Sequence, residues 1–420
     1  MSASPETVVT SRISPVRARA FGIFFVFLAV GIAVLFGMGS GGNSSTFGLN
    51  GPDQFAELPR VEIPAAGTAY FLALVTAFIG GMQLARGFGK WTYLVLGLVV
   101  FLFLFAFLVW ATEDNSLNLY GMLQSTLLRS IPLTLGALSG VLCEKAGVVN
   151  IAIEGMMLFA AFIGVIIGSA SGNLWVGLIG GALAGGLLSA VLAVLSIRYR
   201  VDQIIAGTVL NIFALGITSY LTARVLVEYQ NLNNPGTFDR VSIPLLSKIP
   251  LIGPLLFRNN IFVYLAFILV AAVWFGLNKT RWGLRVRAVG EHPKAADTVG
   301  IDVLKVRYRN VVLGGMVAGI AGAYLTLGSV GRFDENMTAG KGFIALAAML
   351  FGRYNPVGAF GAALVFGFAE SLQNKLAILN VGIPSELLAM APYLATLLVV
   401  AGVVGRTRVP AADGIPYVKE

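Results

Sequence analysis

The sequence predicts an all-α membrane protein, a polytopic bundle of transmembrane helices in which some helices are broken or re-entrant. Three observations predict this class. Hydrophobic residues make up 57% and charged residues 12% of the 420-residue chain, against about 45–50% and about 25% in soluble domains. Mean hydropathy is +0.84, which implies more apolar surface than a water-soluble domain could bury. Apolar runs near twenty residues long, enough to cross a bilayer core of about 30 Å, recur along the chain.

The apolar runs predict about 10–12 membrane segments, depending on whether the short ones cross the bilayer or re-enter. They are Phe21–Met38, Ala65–Ala85, Trp91–Ala111, Leu119–Leu142, Ile151–Ala170, Leu174–Ile197, Gln203–Ala223, Ile261–Leu277, Asn310–Val330, the short Phe343–Gly352, Val357–Leu372 and Leu387–Val404. Small residues at helical spacing in two of these runs predict close helix packing rather than a substrate site. They are Gly177, Gly181 and Gly185 in one run, and Gly315 and Gly319 in the other.

Single residues exclude several kinds of chemistry. Cys143 alone can form no internal disulfide, and one histidine, His292, argues against a metal site built from His and Cys. The sequence holds no GxxxxGK[ST] phosphate loop, so if ATP drives this protein, another chain binds it. With so few nucleophiles and bases, a membrane-embedded enzyme is poorly supported. We therefore expect no catalytic residue, metal or cofactor in this chain.

The positions of Lys and Arg predict the orientation, because cytoplasmic loops of membrane proteins are enriched in these residues. For the same reason, the net charge of +9 does not by itself indicate nucleic-acid binding. Basic residues before the first span and after the last place both termini in the cytoplasm. The loops 39–64 and 224–260 are then external. The resulting division is a tail at 1–20, N-terminal transmembrane segments at 21–115, a transmembrane core at 116–405 and a tail at 406–420.

The loop Asn278–Arg309 holds eight of the 29 Lys and Arg residues and only three acids. This excess predicts a cytoplasmic location. Pro293 near the start and Gly300 at the end predict a short helix over Pro293–Val299. A basic loop that only sets the orientation is the common alternative. A compact helix closed by glycine favours a docking element for a cytoplasmic partner.

A first candidate for a transport pathway is the stretch 147–155, Gly-Val-Val-Asn-Ile-Ala-Ile-Glu-Gly. Asn150 and Glu154 are four residues apart, which predicts that they share one face of a helix. An ionisable group inside the membrane is costly and is therefore a functional candidate. The glycines at both ends would let the helix break and free backbone groups to line a polar path. The alternative is a structural pair of Glu154 with Asn150 or Arg129.

A second candidate region is 333–353, where Asn336 and Lys341 precede the short apolar run Phe343–Phe351. Such a run cannot cross the bilayer as an ordinary helix. A half-helix that begins near Gly340 would direct its positive N-terminus into a central cavity. A short tilted span with snorkelling ends is the alternative.

Four stretches, in order along the chain, resemble one known family. They are GALSGVLCEKAGVVNIAIEGMML at 136–158, VDQIIAGTVLNIFALGITSYL at 201–221, RVRAVGEHPKAADTVGIDVLKVR at 285–307 and ENMTAGKGFIALAAMLFGRYNP at 335–356. Together they look like the permease of a bacterial ABC importer of the branched-chain amino acid/ribose type. The resemblance runs from about Leu117 to Val404. It is greatest to the nucleoside-importing branch, which works with a basic-membrane-protein lipoprotein as its receptor.

The resemblance implies a coupling site in the basic loop. Glu291, Ala295, Ala296 and Gly300 fall where such permeases place the coupling helix, which sits in a groove of the ATPase. This agrees with the cytoplasmic location predicted from charge. His292 stands where an Asn is more usual in the family, and we assign it no role.

The resemblance also bears on the substrate pathway, for which the candidates are Asn150, Glu154, Asn336 and Lys341. Asn150 and Glu154 match the pathway motif of the nucleoside branch. Amino-acid relatives carry a His-Gly type of variant there, and sugar relatives an Asp-Leu-Ser type. Asn336 and Lys341 enter through the half-helix interpretation alone.

The sequence thus predicts a transmembrane subunit of an ABC importer, with nucleosides as the expected cargo. We expect it to lie in a bacterial plasma membrane and to pair with a second permease, a cytoplasmic ATPase that binds ATP and Mg, and an external substrate-binding lipoprotein. A sugar or a branched-chain amino acid is the alternative cargo. A secondary transporter driven by an ion gradient, with Glu154, Glu370 and Arg129 as a proton relay, is a further alternative. Such a transporter would not need the docking helix.

Overall fold

The computed structural model describes residues 15–51, 58–379, 387, 390 and 409–419. Within these residues the chain is built almost entirely of helices. They are α1 (Pro15–Gly31), α2 (Ala65–Ala85), α3 (Thr92–Ala111), α4 (Leu119–Glu144), α5 (Ile153–Ser171), α6 (Leu174–Ala193), α7 (Gln203–Leu221), α8 (Ile252–Phe257), α9 (Ile261–Lys279), α10 (Arg281–Glu291), α11 (Pro293–Thr298), α12 (Val303–Leu325), α13 (Lys341–Phe351) and α14 (Pro356–Ile378).

Nine helical segments among the described residues are long and apolar enough to cross a membrane. They correspond to α1–α7, α9 and α12, several of which continue into a π-helical turn. The predicted all-α polytopic bundle is confirmed, and α13, with 11 residues, is too short to cross as an ordinary helix. The predicted last span, Leu387–Val404, lies outside the described residues except for its residues 387 and 390.

The chain divides into two compact units, which are described separately. The first comprises Met1–Gly121 and Lys375–Ile383, and the second comprises Met122–Asn374 and Pro384–Glu420.

The first unit contains a small sheet that the sequence did not predict. Strand β1 (Ser44–Gly48) pairs antiparallel with β2 (Val61–Pro64) and parallel with β3 (Ser116–Asn118). The sheet joins the loop after α1 to the segment after α3. The loop 39–64 was predicted to be external, and strand pairing requires the segment after α3 to lie on the same side of the membrane.

Glu113 strengthens this junction between the two segments. Its carboxylate accepts hydrogen bonds from Ser40 Oγ at 2.8 Å, from Asn43 N at 2.9 Å and from Gly41 N at 3.1 Å. Partial burial opposes the charge of Glu113, but these hydrogen bonds outweigh it and lower its pKa. The acid is therefore held as a carboxylate in a turn that connects distant parts of the chain.

The second unit is centred on α5, α6 and α12, and glycines let these helices approach closely. A Cβ at Gly185 would lie 2.7 Å from Gly319 Cα, and one at Gly181 would lie 3.1 Å from Ala160 O. Gly315 also faces Gly185. The packing role predicted for the two glycine runs is confirmed, because the absent side chains are what admit the neighbouring backbones.

Pro132 lies inside α4 and removes one backbone hydrogen bond from that helix. The carbonyl left without a helical donor belongs to Leu128, four residues earlier. The Tyr324 hydroxyl on α12 donates to this oxygen at 2.8 Å. An unpaired carbonyl in lipid is costly, so the contact with α12 satisfies the oxygen that Pro132 leaves without a helical donor.

The predicted external loop 224–260 is made of ordered turns. It contains α8 and a two-stranded ribbon of β4 (Val241–Ser242) and β5 (Arg258–Asn259). Asn233 in this loop accepts a hydrogen bond from Phe333 N at 2.7 Å and donates one to Phe333 O at 3.0 Å. The loop is thereby fastened to the segment that precedes α13.

Candidate functional site

Helix α13 begins at Lys341, as predicted, but its N-terminus is not open. The carboxylate of Glu154 on α5 accepts hydrogen bonds from Gly340 N at 2.8 Å and from Gly342 N at 2.6 Å. The prediction that this helix end is directed into a central cavity did not include the carboxylate of Glu154, which occupies the helix end. A helix N-terminus carries unpaired N–H groups and partial positive charge, and the protein supplies its own anion there.

The contact between α5 and α13 is tight enough to require glycine. A Cβ at Gly342 would lie 2.5 Å from the Cα and N of Glu154. Gly340 has φ +83°, a left-handed conformation that favours glycine. Glu154 is 9% exposed. Lys341 lies between the two glycines and is half-buried. Because Glu154 binds the N–H groups on both sides of it, the structure places these two of the four predicted pathway residues next to each other.

The first turn of α5 is held in place from α7. Asn211 accepts a hydrogen bond from Gly155 N at 2.8 Å and donates one to Ile151 O at 2.9 Å. The sequence analysis did not single out this residue. The signal was an amide side chain in the middle of an apolar span, where a polar group needs a partner.

Asn150 is buried, but it does not share a helix face with Glu154. Helix α5 begins only at Ile153, after a turn, so the predicted spacing of four residues on one helix is wrong. The physical reason is local, because Gly147 adopts φ +82° and residues 148–152 run as an irregular connection. The side-chain amide of Asn150 instead lies 3.4 Å from Cys143 Sγ on α4.

The structural pair of Glu154 with Arg129, the alternative considered above, does not form. Arg129 on α4 forms its ion pair with Glu370 on α14 and not with Glu154. Both partners lie within helices, where pairing offsets part of the cost of charge in lipid. Asn336, the remaining pathway candidate, is exposed and has φ +53° in the loop before α13.

The basic loop folds into two short helices. Thr280 caps α10 by accepting a hydrogen bond from Gly283 N at 3.2 Å, and His292 Nδ1 caps α11 by accepting one from Ala295 N at 3.2 Å. Gly300, with φ +81°, ends this segment. The short helix predicted over 293–299 is confirmed as Pro293–Thr298. The helix α10 was not predicted.

The four candidate coupling residues do not all face outward. Glu291, Ala295 and Gly300 are exposed, whereas Ala296 is 3% exposed and packs inward. Val299, at the end of α11, is 75% exposed. The loop thus presents one compact face with an apolar tip and anchors itself through the opposite face.

Comparison with known proteins identifies the family of the chain. Residues 122–403 match the family described as "Branched-chain amino acid transport system / permease component". The chain belongs to this family. No solved structure matches it.

Several relatives of this permease have names that state a cargo. The guanosine ABC transporter permease protein NupQ of Bacillus subtilis is 40% identical over 306 residues, which cover 70% of this chain and 95% of NupQ. The nucleoside ABC transporter permease protein NupC of Lactococcus lactis is 38% identical over 303 residues, with the same coverage of 70% and 95%. The putative glucose ABC transporter permease protein TsgC13 of Haloferax volcanii is 32% identical over 309 residues, covering 68% and 92%.

The matched region contains Glu154, α13, α10 and α11. Helices α1–α3 lie before it. The family assignment, together with the nine apolar helices among the described residues, makes the chain a multi-pass membrane transport component.

Proposed function

We propose that this permease is a transmembrane subunit of an ABC importer that carries nucleosides by alternating access. This proposal rests mainly on two relatives whose names specify guanosine and nucleosides. The alignments cover 95% of the length of each relative, at 40% and 38% identity. The glucose-named relative, at 32% identity, supports a sugar as the second candidate cargo.

The contact of Glu154 with α13 supports a pathway at this place. Helix α13 is too short to cross the membrane, and its N-terminus meets the buried carboxylate of Glu154 on α5. Half-helices that meet inside a membrane protein are typical of substrate sites in transporters. Because Glu154 already fills the positive end of α13, the site suits a neutral cargo such as a nucleoside better than an anion. Asn150, Asn336 and Lys341 remain candidates for this pathway.

The exposed face of α11 supports docking of an ATPase. We propose that Glu291, Ala295 and Gly300 contact that partner while Ala296 fixes the helix to the permease. We also propose that this chain acts without a catalytic group of its own and that the ATPase binds ATP and Mg. The further proposed partners are a second permease and an external substrate-binding lipoprotein, with no nucleic acid.

We further propose a bacterial plasma-membrane location with both termini in the cytoplasm. One contact supports this orientation, because residues 409–419 contact the basic loop and both segments were predicted to be cytoplasmic.

Uptake of radiolabelled guanosine, uridine and glucose, in cells with and without this gene, tests the cargo. A protonophore and ATP depletion form separate arms. We expect gene-dependent nucleoside uptake that survives the protonophore and is lost when ATP is depleted. Gene-dependent uptake of glucose alone would change the assigned cargo to a sugar. Uptake that collapses with the protonophore at constant ATP would indicate a gradient-driven transporter.

A matched pair of glycine substitutions tests the coupling surface. Gly300 and Gly236 have φ +81° and +80°, and a Cβ at either would meet no atom within 4 Å. Gly300→Trp therefore differs from Gly236→Trp mainly in its place on the chain. We expect Gly300→Trp to abolish co-purification of the ATPase and Gly236→Trp to retain it. Equal co-purification by both variants would contradict the assignment of α11.

A further inference from the structure

The C-terminal segment of residues 409–419, here called the C-terminal strap, returns to the basic loop and binds its backbone. Ala412 N donates to Gly290 O, the penultimate residue of α10, at 2.8 Å. Ala411 N lies 3.4 Å from a carboxylate oxygen of Glu291. These contacts join residues about 120 positions apart, so the strap is part of the tertiary structure around α10.

Arg307 on α12 is the anchor of the strap. It is 1% exposed and is the largest fully buried side chain among the described residues. Its guanidinium donates to Ile415 O at 2.9 Å and to Ala412 O at 3.4 Å. A buried guanidinium needs acceptors, and the strap supplies them as backbone carbonyls.

Tyr417 carries the strap onto α11. It is 8% exposed and packs in one cluster with Val289 of α10, Ala296 of α11 and Val303 of α12. Lys419 Nζ lies 4.0 Å from the carboxylate of Asp297. Ala296 is the only buried residue of α11. The ring of Tyr417 therefore belongs to the cluster that buries Ala296, the one buried side chain of α11.

A six-residue helix is too short to hold its own position, because isolated helices of this length are marginal in water. Helix α11 has one local cap and one buried side chain. Its orientation must come from what it packs against, and the strap is one of the three elements in that cluster. Residues outside the predicted coupling motif thus determine how the motif is presented.

We propose that the C-terminal strap positions α11 for docking, with Arg307 and Tyr417 as positioning residues. This inference rests on the proposed function insofar as the docked partner is an ATPase. Release of the strap leaves the permease inserted but lets α11 move, so ATP hydrolysis and cargo movement lose their fixed ratio.

The test uses Tyr417→Ala, with Val418→Ala as its matched control. Val418 is the next residue and is 46% exposed, so its truncation removes no packed side chain. A spin label at Thr298→Cys reports the mobility of α11, and a label at Ser171→Cys reports general loosening at the end of α5. Both positions are exposed, and the one native cysteine, Cys143, is buried.

We expect Tyr417→Ala to lose the immobile spectral component of the label at 298 and to keep that at 171. Val418→Ala should resemble the wild type. An unchanged label at 298 in Tyr417→Ala, or equal loosening at both labels, would overturn the proposal. The mobility measurement needs only this chain, so it remains decisive if the wild type binds no ATPase, a result that would overturn the proposed function alone.

In the assembled importer, the same variants are compared by ATP hydrolysed for each nucleoside transported. We expect a higher ratio for Tyr417→Ala and the wild-type ratio for Val418→Ala. A merely structural role of Tyr417 would lower both rates together and leave the ratio unchanged.

Discussion

Helices α13 and α11 are both short, and each has a side chain bound at its N-terminus, but the two caps come from different distances along the chain. Glu154, which binds α13, is 186 and 188 residues from its two donors and is nearly buried. His292, which binds α11, is three residues from its donor and is exposed. Helix α13 therefore depends on the packing of α5, whereas α11 forms its cap locally and needs the rest of the protein only for its orientation.

This difference predicts that α13 is the more costly helix to disturb. A buried donor left without an acceptor costs about 1–3 kcal/mol, whereas the loss of an exposed local cap costs about 1 kcal/mol. The following predictions compare the two helices, from the largest expected effect to the smallest.

Glu154→Ala should lower the free energy of unfolding by about 2–5 kcal/mol, because it leaves two N–H groups of α13 unpaired inside the protein. Glu154→Gln keeps one acceptor oxygen, so it should fold and still alter nucleoside uptake. Thermal unfolding of the detergent-solubilised chain measures the first effect. Glu335→Ala, at an exposed acid, is the control, and equal midpoints for the two alanine variants would contradict the role of Glu154.

Gly342→Ala should cost about 1–3 kcal/mol, since its Cβ would overlap the backbone of Glu154 and force α5 and α13 apart. Gly216→Ala, at a helical glycine of α7 with no atom within 4 Å of its Cβ, is the matched control. It should be neutral or slightly stabilising because alanine favours a helix. The same thermal unfolding measurement applies, and a neutral Gly342→Ala would show that the contact is loose.

Mobility of α11 should increase with pH between about 5 and 7. Burial raises the pKa of Asp413, in the C-terminal strap, from 3.8 to about 6. A raised pKa means that the folded state binds this proton more tightly than the unfolded state. The contribution of the proton is therefore complete below about pH 4 and is lost as the pH rises through 6.

The spin label at residue 298 measures this pH dependence, and Asp413→Asn is the control. The asparagine amide cannot titrate, so in this variant the label at residue 298 should show the same mobility from about pH 5 to 7. A pH dependence that persists in Asp413→Asn would assign the effect to another group.

His292→Ala should destabilise the first turn of α11 by about 1 kcal/mol, because the Ala295 amide loses its acceptor. His292→Asn should restore most of this, since asparagine is a good N-cap residue. Hydrogen exchange of the Ala295 amide is the measurement. Equal exchange in the two variants would show that the cap does not stabilise the helix.

Features with local causes were predicted from the sequence. The span positions follow from runs of apolar residues, the short helix α11 from Pro293 and Gly300, and the close packing of α6 and α12 from the spacing of their glycines. Each of these signals lies within a few residues of the structure that it produces. The start of α13 at Lys341 belongs to the same group, because Gly340 breaks the preceding segment.

Features that depend on distant contacts were missed or predicted wrongly. Asn150 and Glu154 were placed on one helix, because their spacing alone does not show that the helix begins at Ile153. Three kinds of contact each join positions far apart in the chain. They are the ion pair of Arg129, the hydrogen bonds of Asn211 to α5 and the contacts of the C-terminal strap. The local sequence shows at most that a polar side chain such as Asn211, inside an apolar span, needs a partner. It does not show which distant residue that partner is.

The membrane class, the positions of the apolar spans and the family motifs are properties of consecutive residues, so they can be predicted from the sequence alone. Which acid meets which helix end depends instead on how the helices pack. Every helix N-terminus offers similar unpaired N–H groups, so any nearby carboxylate could satisfy them. Packing of α5 against α13 selects Glu154 for this role, since the selection depends on which backbones glycine allows to approach.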